Sequence, residues 1–197
     1  MTKSGVDDII MRKLYEKRVF GLKKDDLLQI HLPRWKEFPA FELYIDQVLA
    51  FLCDNLEIFN RNPEDPFITQ AMVNNYVKNG VLHAPIKKKY GREHLAKLVV
   101  ICISKRMLPL SHISESITVM TRVLEIESGY DSFCDEVEYE VKSCVDPNKY
   151  PPRPIESAST RNDAMLRALA SAVARVLVFD CFIERRRRLS NVVLNNK

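Results

Sequence analysis

Asn74, Asn75 and Lys78 stand at helical spacing in the segment ITQAMVNNYVKNG, and side chains of these types can read nucleic acid. An asparagine amide can pair bidentately with adenine N6 and N7 in a major groove, and a lysine can neutralise a phosphate. Asparagine is a mediocre helix former, so helix propensity does not explain two of them in the middle of an outward face. Met72, Val73, Tyr76 and Val77 share one side of the segment, which leaves Ala71, Asn74, Asn75 and Lys78 on the other. For the helix alone, a solvated face with incidental asparagines competes with this reading. Lys87, Lys88 and Lys89 follow, then Tyr90 and Arg92. A lysine run in isolation is usually a solvated surface. Between Pro66 and Leu110, however, eight cations (Lys78, Lys87, Lys88, Lys89, Arg92, Lys97, Lys105, Arg106) face Glu93 as the one acid, in a chain whose net charge is only +4. Positive charge is thus concentrated on one segment, as in a phosphate-binding module. The candidate contacts to double-stranded DNA are Gln70, Ala71, Asn74, Asn75 and Lys78 from a helix over 69–79, and Lys87, Lys88, Lys89, Tyr90 and Arg92 from the basic run.

Local signals say which elements position these residues. Thr69 can cap the helix through its side-chain oxygen, and Gly80 falls where a left-handed residue closes one. Val81, Leu82 and Pro85 read as an extended segment, and a tight turn between Ile86 and Tyr90 predicts a short two-strand wing on which alternate lysines face opposite sides. Tyr90 is expected to pack that wing onto the next helix. Upstream, Phe41, Tyr44, Ile45, Val48, Leu49 and Leu52 form one apolar stripe opened by Pro39, the expected first helix of a helix-turn-helix, and the prolines of RNPEDP break it. Downstream, Arg92 starts a helix with Leu95, Leu98, Val99 and Cys102 inward, ended by Pro109. Ser111 can cap a further one carrying Ile113, Ile117, Met120 and Leu124.

The succession TQAMVNNYVKNGVL, KKKYGREHLAKLVVICISK and LSHISESI, over residues 66–118, resembles the N-terminal module of the mercury-resistance-regulator (MerR-like) superfamily. The blocks LPRW, ELYIDQV, MVNNYVK and KKKY, in this order over residues 32–120, are similar to the uncharacterised domain-of-unknown-function family 1836. That family has no established activity. The resemblance implies a mainly α fold, a MerR-like winged helix-turn-helix with a short two-strand wing plus additional C-terminal helices, and a regulatory role. The chain departs from well-studied MerR-like proteins in a shortened wing and in Val73 and Asn74 where an arginine commonly follows a leucine.

The remaining chain reads as helices around this module. Helices are expected around 9–20 and 25–30, and an acidic one over 130–144 with Phe133, Val137, Val141 and Cys144 on one side. DPNKYPPRP, with its prolines, is a linker or a pinned loop. A long helix is expected over about 162–188, where Leu166, Leu169, Ala170, Val173, Ala174, Leu177 and Cys181 form the main apolar face and Val176, Val178, Phe179 and Phe182 widen it. A helix so apolar must be covered by the chain's own helices or by a second copy, and a homodimer through 162–188 is the expected assembly. Arg185 to Arg188 are expected at its C-terminus, where cations favour the macrodipole. The organisation is therefore an N-terminal helical extension over 1–36, the winged module over 37–127 and a C-terminal helical region over 128–197.

Composition restricts the alternatives. A hydrophobic content of 46% and a charged content of 28% in 197 residues describe an ordinary globular chain with a sizeable core. Acids occupy the start where a secretory segment has cations, and no apolar run reaches the roughly 18 residues of a membrane span. A cytoplasmic protein without membrane contact is expected. Cys53, Cys102, Cys134, Cys144 and Cys181 form no CxxC pair and read as buried thiols, and the scattered histidines supply no metal-ligand spacing. Nor is there a phosphate loop, a GxSxG elbow or an HExxH helix. No catalytic residue, metal or cofactor is expected. Besides a DNA-binding transcriptional regulator, the residues allow an interaction or scaffold protein that keeps the fold and binds protein through the apolar C-terminal helix.

Overall fold

In the computed structural model, which describes residues 24–60, 66–123 and 125–195, seven α-helices follow one another: α1 Lys24–Leu28, α2 Ile45–Asn55, α3 Gln70–Lys78, α4 Arg92–Ser104, α5 Leu110–Val123, α6 Ile126–Val145 and α7 Arg161–Asn195. Short 3-10 turns lie at Trp35–Glu37, Glu57–Phe59 and Ile155–Ser157. The helix expected around 9–20 and the side chain of Leu124 lie outside the described residues.

The ends of α3 are set by its own sequence. Thr69 Oγ1 accepts the Met72 N–H at 3.2 Å. At the other end Gly80 has a φ of +71°, the Val81 N–H reaches the Tyr76 carbonyl at 3.0 Å and the Gly80 N–H reaches the Val77 carbonyl at 3.0 Å. This pair of bonds is a Schellman closure, which needs a left-handed residue and so favours glycine. Val73 and Tyr76 are buried, and Gln70, Ala71, Asn74, Asn75 and Lys78 are exposed, the sidedness that the spacing predicts.

The mainly helical class agrees with the sequence reading, but the two-strand wing does not form, and with it the MerR-like winged helix-turn-helix expected from the resemblance is not seen. Among the described residues there is no strand, only two isolated antiparallel bridges, Ile86 with Lys89 and Leu43 with Tyr90. The reason is local. Pro85 offers no N–H just before the turn, and Gly91 opens α4 just after it, so a ladder has no room to extend. Tyr90 instead exchanges two hydrogen bonds with Leu43, at 2.9 and 2.8 Å. That pairing also shortens the expected first helix. With Leu43 extended and the Tyr44 N–H taken by Gln47 Oε1 at 2.9 Å, α2 begins at Ile45, and Phe41 and Tyr44 are left exposed instead of inward.

Helix α4 is the central pillar, buried almost from end to end. Helix α5 starts on the Pro109 carbonyl, which accepts from His112 N–H at 3.0 Å, so Pro109 and not Ser111 takes the capping place. Gly129 lets α6 turn back closely against α5, since a Cβ there would run into the Met120 carbonyl oxygen. Helix α6 is crossed on one side by the strap of residues 30–38. Tyr130 donates to the Pro33 carbonyl at 2.7 Å, Arg34 pairs with Glu138 and Asp135 at 2.7 Å each, and the Leu32 N–H donates to Glu138 at 2.8 Å. On another side, Glu136 pairs with Arg153 at 3.0 Å and with Arg167 at 2.9 Å, and the Tyr139 ring lies under the Arg153 guanidinium at 3.5 Å. The proline-rich segment is therefore a loop pinned on α6.

Helix α7 buries Leu169, Ala170, Val173, Ala174, Leu177 and Val178 within the same core and leaves Val176, Phe179 and Phe182 exposed. It runs on to Asn195, so the arginines at 185–188 lie inside the helix. Because the macrodipole acts only over the terminal turn, it does not account for them. Of the cysteines, Cys102 and Cys134 are buried, but Cys53 is exposed, because it sits on the side of α2 opposite Val48 and Leu52. No helix of the described residues is long and apolar enough to cross a membrane.

Candidate nucleic-acid interface

The residues at 86–89 form a hairpin turn with Lys87 and Lys88 at its two central positions. Their φ angles are +50° and +64°, and the Lys89 N–H closes the turn on the Ile86 carbonyl at 2.9 Å. Two consecutive positive φ values are the signature of a type I′ turn, whose central residues are by preference asparagine and glycine. Lysine gains nothing from the left-handed conformation, in which its Cβ crowds the backbone. Both lysines are exposed, so nothing in the packing accounts for them. The alternation expected of strand lysines is replaced by a pair at one tip.

Lys89 points elsewhere. Its ammonium lies 5.5 Å from the centre of the exposed Tyr44 ring, a cation–π contact that links the turn to the segment before α2. Tyr90 is buried rather than presented, with its ring edge-on to His94 at 5.3 Å. It therefore packs the turn onto α4, as the sequence reading expects. Arg92 is half-buried, with its Nε bonded to the Pro39 carbonyl at 3.3 Å.

The other cations divide in the same way. Lys97 pairs with Glu93 at 2.6 Å, and Lys105 turns inward to donate to the Phe67 carbonyl. The hydrogen bond and charge of Lys97 outweigh burial and hold the Glu93 carboxyl below its usual range. What projects outward from the basic segment is therefore Lys78 on α3, Lys87 and Lys88 at the turn, and Arg106 after α4. Four acids of α6 are engaged elsewhere. Asp131, Asp135, Glu136 and Glu138 are engaged by the strap and by Arg153 and Arg167.

On α3 the two asparagines differ. Asn79 reaches back with its Nδ2 to the Asn75 carbonyl at 2.7 Å and to Asn75 Oδ1 at 3.0 Å, so the Asn75 amide is oriented by its neighbour. The Asn74 side chain makes no hydrogen bond to the described residues. Between α3 and the turn, the His83 and His94 rings are 3.9 Å apart, and His94 Nδ1 accepts the Gly91 N–H at 3.1 Å. Burial, and then the neighbouring His83, push the His94 pKa down. His94 thus touches the segment leaving α3, through His83, and the base of the turn, through Tyr90 and Gly91.

Sequence reasoning missed Tyr44, Phe41, Ile86 and Asn79. Phe41 and Ile86 are 69% and 67% exposed, Ile86 at the foot of the lysine turn, and the exposed Tyr44 ring lies beside Lys89. The signal for Asn79 was present in the spacing, since an asparagine next to a closing glycine can reach the last turn. Nothing in the local pattern announced that Tyr44 would face outward.

No curated protein and no solved structure matches this chain. The family model described as domain of unknown function (DUF1836) matches residues 33–133, just over half of the 197, from the strap through α6 as far as Phe133. That span holds the whole of the lysine turn, α3 and the paired segment Leu43 to Tyr90, and the chain belongs to this family.

Proposed function

We propose that this protein binds double-stranded DNA and acts as a transcriptional regulator, with the outer side of α3 at a major groove and Lys87 and Lys88 on phosphates. The observation that carries the reading is the pair of lysines held in left-handed conformations at the tip of an exposed turn. A backbone outlier that stability does not favour is a reason to look for function at that position. Phosphate neutralisation is a use to which an exposed lysine pair is suited. Asn74 and the braced Asn75 supply amides of the kind that pair with adenine, and Phe41, Tyr44 and Ile86 offer apolar contact to sugars beside the phosphates. The role is one of binding, with no catalytic step.

Fluorescence anisotropy of the purified chain with a generic labelled duplex, across a salt series, tests this. Binding whose logarithm falls linearly with log salt, by about 0.9 per neutralised phosphate, supports it. Indifference to duplex DNA and to heparin at low salt overturns it and leaves the alternative, a protein-interaction role.

One observation bears on assembly. Val176, Phe179 and Phe182 recur along the side of α7 that the core leaves open, with Phe179 and Phe182 60% and 64% exposed. In the proposed function a second copy of α7 covers this stripe, and a two-fold dimer sets two α3 helices against a pseudo-palindromic site.

A further inference from the structure

Behind α3 lies a cavity that the DNA reading does not use. It opens between the turn Glu57–Phe59, the inner side of α3 and the C-terminal end of α4, and has a volume of about 450 Å³. Pockets for small organic ligands run from roughly 300 to 1,000 Å³. Its walls are the rings of Phe59, Phe67 and Tyr76 and the thioether of Met72, and its charged groups are Lys105 and Arg106. No carboxylate of the described residues lines it. The half-buried Lys105 ammonium donates to the Phe67 carbonyl, lies 3.8 Å from Met72 Sδ and sits 5.1 Å from the centre of the Phe67 ring. Burial, chiefly, holds its pKa below the ordinary lysine value. Among the described residues this cation has a carbonyl, a thioether and a ring face around it, and no anion.

We propose that this cavity is a binding site for a small aromatic carboxylate, its ring between Phe59, Phe67 and Tyr76 and its carboxylate on Lys105 and Arg106. Aromatic walls favour a flat apolar body, and the two cations in the lining favour a negative charge that a neutral ligand cannot supply. Met72 and Tyr76 belong to α3, so an occupant is held against the back of the helix whose outer side carries Asn74, Asn75 and Lys78. The site itself stands without DNA.

Isothermal titration calorimetry of the full chain with indole-3-acetate and with its neutral analogue indole-3-acetamide tests the proposal. The acid should bind at least about tenfold more tightly than the amide, the effect expected of a charge-assisted hydrogen bond. In the Lys105→Met variant, that preference should vanish while the weak binding of the amide remains. Should Lys105→Met fail to fold by circular dichroism, Arg106→Gln, at an exposed position, should still reduce the preference by about threefold, the smaller effect expected of a solvated charge. The Met72 methyl resonance should shift on saturation with the acid. Equal affinities for acid and amide, no binding of either, a preference that survives both substitutions, or an unmoved Met72 methyl would each overturn the proposal.

Discussion

Replacing Lys88 by glycine separates two quantities that the lysine turn sets against each other. At a φ of +64°, Lys88 holds a conformation that costs an L-residue about 1–2 kcal/mol and glycine almost nothing. Glycine also loses more backbone freedom on folding, by about 0.5–1 kcal/mol, which offsets part of the gain. The net expectation for Lys88→Gly is a stabilisation of about 0.5–1 kcal/mol, seen as a higher urea midpoint at unchanged slope and as a rise of a few degrees in Tm. The same change removes one cation from the proposed phosphate contact. It should flatten the plot of log affinity against log salt by about 0.9, which at about 0.15 M salt is close to a fivefold loss of affinity for any duplex. Lys88→Arg keeps the charge and the strain, and should leave both readouts near the wild-type values. A Lys88→Gly protein that is more stable yet binds DNA with an unchanged salt slope would refute the functional half of the reasoning. A protein that is less stable would refute the conformational half.

The remaining predictions concern α3, the approach of α5 to α6, and assembly. Asn74→Ala and Asn75→Ala should each lower discrimination at one base pair by about 1–3 kcal/mol without destabilising the fold, and Asn79→Ala should weaken the Asn75 effect alone; base-pair scanning by competition binding checks this, and equal affinities across all sites would count against the amide contacts. Gly129→Ala should destabilise by about 1–2 kcal/mol, because the clash with the Met120 carbonyl exceeds the helix-propensity gain of about 1 kcal/mol; thermal denaturation showing a stabilised variant would mean that the helices separate easily. Phe179→Glu with Phe182→Glu should give a folded monomer in sedimentation where the wild type is a dimer, whereas Leu169→Glu should unfold the chain, since Leu169 is already buried by its own core; a wild type that is monomeric at micromolar concentration ends the dimer proposal.

What could be read from the sequence was what local chemistry decides. Thr69 and Gly80 bound α3 because a side-chain cap and a left-handed closure act within a few residues, and the sidedness of Met72 to Lys78 follows from the helical period. The start of α2 escaped the same logic. The spacing of Phe41, Tyr44 and Ile45 continues the stripe of Val48, Leu49 and Leu52 perfectly well, and only the bonds between Leu43 and the distant Tyr90 decide that the chain is extended there. The wing failed for the complementary reason, since its second strand needed partners that Pro85 and the immediate start of α4 remove. The two errors are coupled. One backbone pairing took Tyr90 out of a hairpin and Tyr44 out of a helix, and it brought the aromatic ring of Tyr44 beneath Lys89.

The charge pattern shows most clearly why a composition argument needs the fold to complete it. An acidic run such as that on α6, had it packed beside the basic segment, would have neutralised the lysine turn from within. Three of the α6 carboxylates are instead paired with cations from elsewhere in the chain, Glu138 and Asp135 with Arg34 and Glu136 with Arg153 and Arg167. Each of these pairs ties an acid of α6 to the strap, to the pinned loop or to an early turn of α7. The acids therefore fasten the scaffold while Lys78, Lys87 and Lys88 keep their charge facing outward. In a chain with a net charge of only +4, that division of labour is what leaves the surface around the lysine turn locally positive.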